Sequence, residues 1–108
     1  MILHKINDTE KRVEKVWYES SNILFSECDD KENELKTLRV TFKNGTVYEY
    51  YDVDVNDYLM FRSGGLENSQ GKAFIKHIRP KYEYKKLGNV DTKLILEELE
   101  EMKKKSAD

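Results

Sequence analysis

Cysteine and proline each occur once in this chain of 108 residues, and no long apolar segment is present. The lone Cys28 excludes a disulfide within the chain and is typical of a protein kept in a reducing compartment. Residues 1–3 are followed at once by His4 and Lys5, so the apolar region of a signal peptide is missing. No run approaches the ~20 apolar residues needed to cross a bilayer. We therefore expect a cytoplasmic protein that does not enter a membrane.

The composition is divided almost equally between hydrophobic residues, 38%, and charged residues, 37%. The length is typical of one domain, and seven Tyr, four Phe and one Trp supply large side chains for a thin core. The net charge of −2 argues against a generally basic nucleic-acid-binding protein. Charge is uneven, however, because residues 71–86 contain six Lys or Arg and one Glu, a local net charge of +5. This segment is therefore the first place to look for an anion-binding surface.

The clearest local pattern is a β-hairpin centred on Asn44 and Gly45. Apolar and polar residues alternate from Leu38 to Phe42, and a β-prone run occupies residues 46–51. Asn-Gly between two such runs favours a two-residue type I′ turn, in which both central residues need positive φ. The hairpin is therefore predicted to be the centre of the sheet.

The length of the hairpin loop determines which side chains lie together, because paired residues share a face of the sheet. With a two-residue loop, Arg39 pairs with Tyr50, and one face presents two rings beside two cations: Arg39, Lys43, Tyr48 and Tyr50. Such a surface could stack bases and hold phosphates. The commoner role of a strand tyrosine, however, is to lie in the core beneath a helix. A three-residue loop that paired Lys43 with Val47 would also remove the platform, because both tyrosines would move to the apolar face.

Three helices are expected after the hairpin, each with its own capping signal. Asp54 is a favourable N-cap for a short helix that Gly64 and Gly65 end. Ser69 caps a second helix, which stops before Pro80 because a residue preceding proline disfavours the helical region. Asp91 caps a C-terminal amphipathic helix with acids early and lysines at its end, in accord with the helix dipole.

These elements predict the α+β class: a small antiparallel sheet built on a central Asn-Gly hairpin, two short helices after it and an appended amphipathic C-terminal helix. Strands are also expected at residues 16–19 and from residue 23, and residues 81–84 could form a last strand before a break at residues 87–89. We divide the chain into an N-terminal arm (1–15), a main domain (16–87) and a C-terminal helix and tail (88–108).

Five short motifs, taken in order, resemble the KTSC domain. They are Ser20-Ser21-Asn22-Ile23, Leu38-x-Val40-x-Phe42-x-Asn44-Gly45, Val47-Tyr48-Glu49-Tyr50, Ser69-x-Gly71-Lys72-x-Phe74-x-x-x-Ile78 and Tyr82-x-Tyr84. The resemblance spans roughly residues 16–87, and the Tyr-x-Tyr hallmark of the family is matched by Tyr48 and Tyr50. KTSC domains occur at the C-terminus of some lysyl-tRNA synthetases and as stand-alone proteins, so the resemblance implies RNA binding by association.

The basic segment supplies the remaining candidate contacts. On a helix, Lys72, Lys76 and Arg79 stand at i, i+4 and i+7 and share one face, which could follow a phosphate backbone. The alternative is an ordinary solvated face that offsets the acidic C-terminal helix. The candidate residues for nucleic-acid or anion binding are Arg39, Lys43, Tyr48, Tyr50, Lys72, Lys76, Arg79 and Lys81.

No catalytic or metal-binding pattern is found in the sequence. His4 and His77 lack ligands at a spacing typical of a metal site. Cys28 lies between Glu27 and Asp29, and neighbouring carboxylates raise the pKa of a thiol, so Cys28 is a poor nucleophile. We expect no enzymatic activity and no cofactor.

Two functions of different classes follow. The first is a non-enzymatic module that binds nucleic acid, with RNA favoured, through the basic helix and the tyrosine-bearing face. The alternative is a small interaction or accessory protein, of a kind found in compact bacterial or phage genomes. It would bind a protein partner through the acidic C-terminal helix or the polar loop at residues 29–34, or sequester a small anionic or nucleotide ligand. It could form a homo-oligomer through the apolar stripe of the last helix, Ile95, Leu96, Leu99 and Met102.

Overall fold

Six strands and three α-helices follow one another in the computed structural model, which describes residues 1–29 and 35–106. In chain order they are β1 (Ile2–Asp8), β2 (Val13–Tyr18), β3 (Ile23–Asp29), β4 (Leu35–Phe42), β5 (Thr46–Asp54), α1 (Val55–Ser63), α2 (Gln70–His77), β6 (Tyr84–Asn89) and α3 (Thr92–Ser106). The strands form one antiparallel sheet in chain order, so β1 and β6 are its edges. The predicted α+β class is confirmed. In the described part of the chain, no helix is long and apolar enough to cross a membrane.

The segment predicted as an N-terminal arm forms an edge of the sheet. β1 pairs antiparallel with β2, and Lys5 lies opposite Val16. The chain reverses after β1 because a carboxylate oxygen of Asp8 accepts the N–H groups of Glu10 and Lys11, each at 3.1 Å. β2 begins at Val13, three residues before the predicted strand.

One face of the sheet is covered by α1 and α2, which bury the larger part of the core. The core cluster on this face consists of Val16, Tyr18, Ile23, Cys28, Leu38, Val40, Tyr50, Val53, Tyr58, Phe61, Phe74 and Ile78. The side chain of Asp54 accepts the N–H of Asn56 at 2.8 Å and caps α1 as predicted. Glu14 on β2 accepts hydrogen bonds from Tyr58 at 2.5 Å and Arg62 at 2.7 Å, which holds α1 against the sheet.

The opposite face is partly covered by α3. Leu99 is buried against Trp17 and its neighbours on β3, and Ile95 and Met102 pack beside it. The indole N–H of Trp17 donates to the carbonyl of Ile95 at 3.1 Å. Leu96, the remaining member of the predicted stripe, is exposed. Most of the apolar stripe of α3 is thus used within the chain.

The connection between β4 and β5 is a three-residue loop, residues 43–45. Gly45 has a positive φ of +92°, and its N–H donates to the carbonyl of Phe42 at 2.9 Å. Asn44 lacks the positive φ that a type I′ turn requires, and its side chain accepts the N–H of Thr46 at 2.9 Å. This arrangement is typical of a type I turn followed by a glycine bulge. The prediction of a two-residue turn is therefore wrong.

The longer loop changes which side chains share a face. Leu38 pairs with Tyr50, Val40 with Tyr48, and Arg39 with Glu49. Tyr48 and Tyr50 therefore lie on the face covered by α1 and α2, whereas Arg39 lies on the opposite face. The predicted platform that combined Arg39 with the two tyrosines is wrong.

β6 continues through residues 87–89, where a break was predicted. Val47 pairs with Gly88 and Thr46 with Asn89, and the ladder accommodates a bulge between Val47 and Tyr48. The side chains of this edge strand are mostly exposed. Because burial does not impose an alternating apolar pattern on such a strand, its sequence resembles a loop.

Replacing Gly45 by Ala should lower the free energy of unfolding by about 3 kcal/mol, because the positive φ is strained for Ala and the new Cβ would lie 2.7 Å from the carbonyl oxygen of Val90. Gly88→Ala is the matched control: its φ is +119°, but no atom lies within 4 Å of the new Cβ, so a loss of about 1.5 kcal/mol is expected. Urea unfolding followed by Trp17 fluorescence measures both losses. Equal losses would show that Gly45 is not packed against Val90.

Candidate functional site

A groove of about 640 Å³ lies between α2 and the strands β5 and β6. Five aromatic side chains line it, and we call it the aromatic groove: Phe42, Tyr48, Tyr50, Phe74 and Tyr84. Phe42 and the two β5 tyrosines come from the hairpin, Phe74 from α2, and Tyr84 from the edge strand. Long-range pairing of β5 with β6 and packing of α2 on the sheet are both needed to assemble it.

The five rings form a closed cycle of contacts. The distances between ring centroids are 5.8 Å for Phe42–Tyr48, 5.7 Å for Tyr48–Tyr84, 5.5 Å for Tyr84–Tyr50, 5.5 Å for Tyr50–Phe74 and 5.4 Å for Phe74–Phe42. All lie in the range in which aromatic pairs attract one another. Burial is graded along the cycle, since Tyr50 is 3% exposed and Tyr84 is 58% exposed. The groove therefore has a fixed aromatic floor and an accessible aromatic rim.

The hydroxyl groups of the groove tyrosines differ from those of the other four tyrosines. The hydroxyls of Tyr18, Tyr51, Tyr58 and Tyr82 each bond to another side chain. Those of Tyr48, Tyr50 and Tyr84 form no hydrogen bond with any residue that the structure describes. In the described ranges the only fully buried side-chain N or O atom without a partner is Nε2 of His4, so the hydroxyl of Tyr50 is open to the groove. Burial raises the pKa of Tyr50 to about 12, so this group is a hydrogen-bond donor at neutral pH.

Three cations surround the aromatic groove, and we call them the groove cations. Lys43 and Arg79 line it, and Lys86 lies opposite Tyr48 in the β5–β6 register and so shares its face. None of the three is ion-paired with a described residue, and no Asp or Glu is among the described residues that line the groove. Lys76 is also exposed and unpaired within residues 1–29 and 35–106, and it follows the groove residue Ile75.

The other predicted cations are neutralised by carboxylates or lie elsewhere. Arg39 bonds to Glu49 at 2.8 Å, Lys72 lies 3.5 Å from Glu67, and Lys81 lies 3.3 Å from Asp57. Burial alone would raise the pKa of Glu49, but the hydrogen bonds from Arg39 and Tyr51 hold it below its usual range. Of the eight predicted site residues, the structure thus brings four together in the groove: Lys43, Tyr48, Tyr50 and Arg79.

The helix that was predicted to carry Lys72, Lys76 and Arg79 on one face is shorter than their spacing indicates. α2 ends at His77, and Arg79 lies in the following turn, where its N–H donates to the carbonyl of Phe74 at 2.9 Å. Lys72, Lys76 and Arg79 are all exposed, but only Arg79 lines the groove. At the helix start, the hydroxyl of Ser69 accepts the N–H of Lys72 at 3.2 Å, so this donor is not available to an anion.

Sequence reasoning missed two residues of this site: Tyr84, which lines the groove, and Lys86, which lies beside it opposite Tyr48. The spacing of Tyr82 and Tyr84, two residues apart, was the sequence signal that could have identified Tyr84 as a residue of the site. The two tyrosines differ in role, however, because the hydroxyl of Tyr82 bonds to Asp57 at 2.5 Å and accepts the N–H of Asp54 at 3.1 Å. Tyr82 therefore joins the segment that precedes β6 to α1 and to the end of β5, and Tyr84 remains available at the rim.

The model of the KTSC domain family matches residues 30–82. The chain contains a KTSC domain. The match includes four of the five groove rings, and Tyr84 follows two residues after it. Among curated proteins, none matches this chain. The KTSC segment therefore supplies the α2 wall and the floor of the groove, and β6 completes the rim.

Cys28 is buried, and His77 lies beside a carboxylate of α1. Burial raises the pKa of the Cys28 thiol to about 12, which is a larger effect than that of the adjacent carboxylates. Nδ1 of His77 lies 3.7 Å from Asp57. Over the described ranges, no three His, Cys, Asp or Glu side chains are placed to hold a metal ion.

Cys28 should react with iodoacetamide about 100-fold more slowly in the folded protein than in the unfolded protein at about pH 8, because its buried thiol stays protonated. Mass spectrometry of timed samples, with and without urea, measures the two rates. Equal rates would contradict the burial of Cys28 between the sheet and α1.

Proposed function

We propose that this KTSC-domain protein is a non-enzymatic module that binds nucleic acid, RNA in particular, through the aromatic groove. The observation that supports this most directly is the combination of one exposed ring, Tyr84, and two half-buried rings, Phe42 and Tyr48, with unpaired cations in one groove. Aromatic rings stack on bases, and Lys and Arg attract the phosphate backbone. Proteins that bind single strands without strict sequence preference combine the same two features.

The distribution of charge supports the same proposal. The chain has a net charge of −2, so its surface as a whole does not attract a polyanion. Around the groove, however, Lys43, Arg79 and Lys86 have no described carboxylate partner, whereas Arg39 on the opposite face is bound to Glu49. A polyanion would therefore be attracted to the groove side of the molecule.

RNA is favoured over DNA on the basis of the family. KTSC domains occur at the C-terminus of some lysyl-tRNA synthetases. A domain attached to such an enzyme lies close to tRNA, so RNA is the nucleic acid that it would bind. The proposal also places the protein in the cytoplasm, where Cys28 would remain reduced.

A small anionic ligand such as a nucleotide is the second candidate. The groove volume of about 640 Å³ lies within the range of small-molecule sites. The same rings and cations would hold such a ligand. An oligomer formed through α3 has less support, because Ile95, Leu99 and Met102 already pack on the sheet.

Replacing both Lys43 and Arg79 by Gln should weaken RNA binding about tenfold at physiological salt, because two phosphate contacts are lost. The slope of log affinity against log salt should fall by about 1.4 for two contacts with a single strand. Fluorescence anisotropy with labelled single-stranded RNA, DNA and tRNA, at several salt concentrations, measures both quantities.

Arg39→Gln is the matched control, because Arg39 is also an exposed arginine but lies on the opposite face in an ion pair. Its affinity for RNA should stay within about twofold of the wild type. The proposal fails if the wild-type protein binds no nucleic acid even at low salt, or if Arg39→Gln weakens binding as much as the double variant.

A further inference from the structure

Gly71 differs from the other four glycines of the chain, and this difference bears on what the groove holds. Gly45, Gly64, Gly65 and Gly88 have positive φ, which explains why each is glycine. Gly71 lies in α2 without positive φ, and the nearest atoms to an added Cβ, on Asn22 and Ser69, would be 3.9 Å away. Nothing within the described chain therefore requires glycine here. Gly71 lines the aromatic groove, so the missing side chain leaves space in the groove itself.

The two walls beside this space both present exposed apolar surface. Ile75 on α2 is 56% exposed, and Tyr84 on β6 is 58% exposed. Between them, Tyr50 and Phe74 form a nearly buried aromatic floor. A flat aromatic ring placed between the walls would cover both side chains with its apolar faces, and the hydroxyl of Tyr50 could donate to an acceptor at the edge of that ring.

The cations around the groove limit the kinds of ring that the groove can bind. Lys43 and Arg79 would repel a cation, so the aromatic groove is unsuited to the quaternary ammonium groups that aromatic cages often bind. The same cations would attract a ring that carries a phosphate. A nucleic-acid base, with its backbone phosphate at the rim, has both properties.

We propose that the aromatic groove receives an unpaired base, so that the protein binds single-stranded RNA in preference to duplex RNA. This inference rests on the proposed function and names its substrate class. In a duplex, the bases are stacked and paired, and the deep, narrow major groove of A-form RNA hides their edges. A base can reach the floor formed by Tyr50 and Phe74 only after it has left such a stack.

The experiment compares three labelled RNA probes of one length: a mixed-sequence single strand, the same strand in a duplex, and a strand in which every base is replaced by an abasic site. The single strand and the abasic strand carry the same backbone charge, so charge attraction alone does not favour one over the other. The duplex carries twice as many phosphates, so charge attraction alone would favour the duplex. The wild-type protein should bind the single strand about tenfold more tightly than either of the others.

The protein variants are Gly71→Leu and, as a control outside the groove, Arg39→Gln on the opposite face of the sheet. The Leu side chain would occupy the space beside Gly71 and should weaken binding of the single strand about tenfold, whereas Arg39→Gln should leave it within about twofold. Gly71→Leu should keep a thermal midpoint equal to or a few degrees above that of the wild type, because the site has room and helical backbone. Tyr84→Ala gives a second test that does not depend on Leu fitting, since Tyr84 lies at the rim.

The outcomes separate this inference from the proposed function. Equal affinity for the abasic and base-containing strands, or a preference for duplex, would overturn the inference but leave RNA binding through charge intact. Tight binding of a free mononucleotide would overturn it in favour of a small ligand. No binding of any probe at low salt would overturn both.

Discussion

The left-handed backbone at Gly45 makes the loop between β4 and β5 three residues long, and the rest of the groove depends on that length. Because side chains alternate along a strand, one residue more or less in the loop exchanges the two faces of β5 relative to β4. The observed length places Tyr48 and Tyr50 beneath α2 and next to Phe74. It also brings Gly45 against Val90, where the chain leaves the edge strand that contributes Tyr84.

Carboxylates then determine which of the cations remain available. Glu49, Glu67 and Asp57 each lie within 4 Å of a basic side chain outside the groove. An exposed ion pair of this kind adds little stability, but it lowers the local attraction for a polyanion. The groove cations have no such partner among the described residues. A chain with a small negative net charge can in this way keep one positive region without becoming basic overall.

Local signals explain which parts of the fold could be predicted from the sequence. The caps at Asp54, Ser69 and Asp91 bond to their own helices within three residues, so the sequence contains the information needed to locate all three helices. The loop length and the continuation of β6 past Gly88 depend on cross-strand pairing. The alternation of apolar and polar residues does not reveal a one-residue difference in pairing, because the sequence of β5 has the same alternating pattern in either register. The sequence therefore identified the tyrosines of the site but placed them on one face with Arg39. The structure instead places them beside Arg79 and Tyr84.

The stability of the fold does not explain why the residue at position 50 has a hydroxyl group. A phenylalanine at this position would pack against Phe74 and Leu38 with the same ring and would not bring a polar atom into the core. The other well-buried tyrosines, Tyr18 and Tyr58, bond their hydroxyls to Ser26 and Glu14. Tyr50 instead presents its hydroxyl to the groove, as does its partner in the Tyr-x-Tyr hallmark, Tyr48. The Tyr-x-Tyr pair therefore supplies both a ring for the core and hydroxyl groups on the groove side of the sheet.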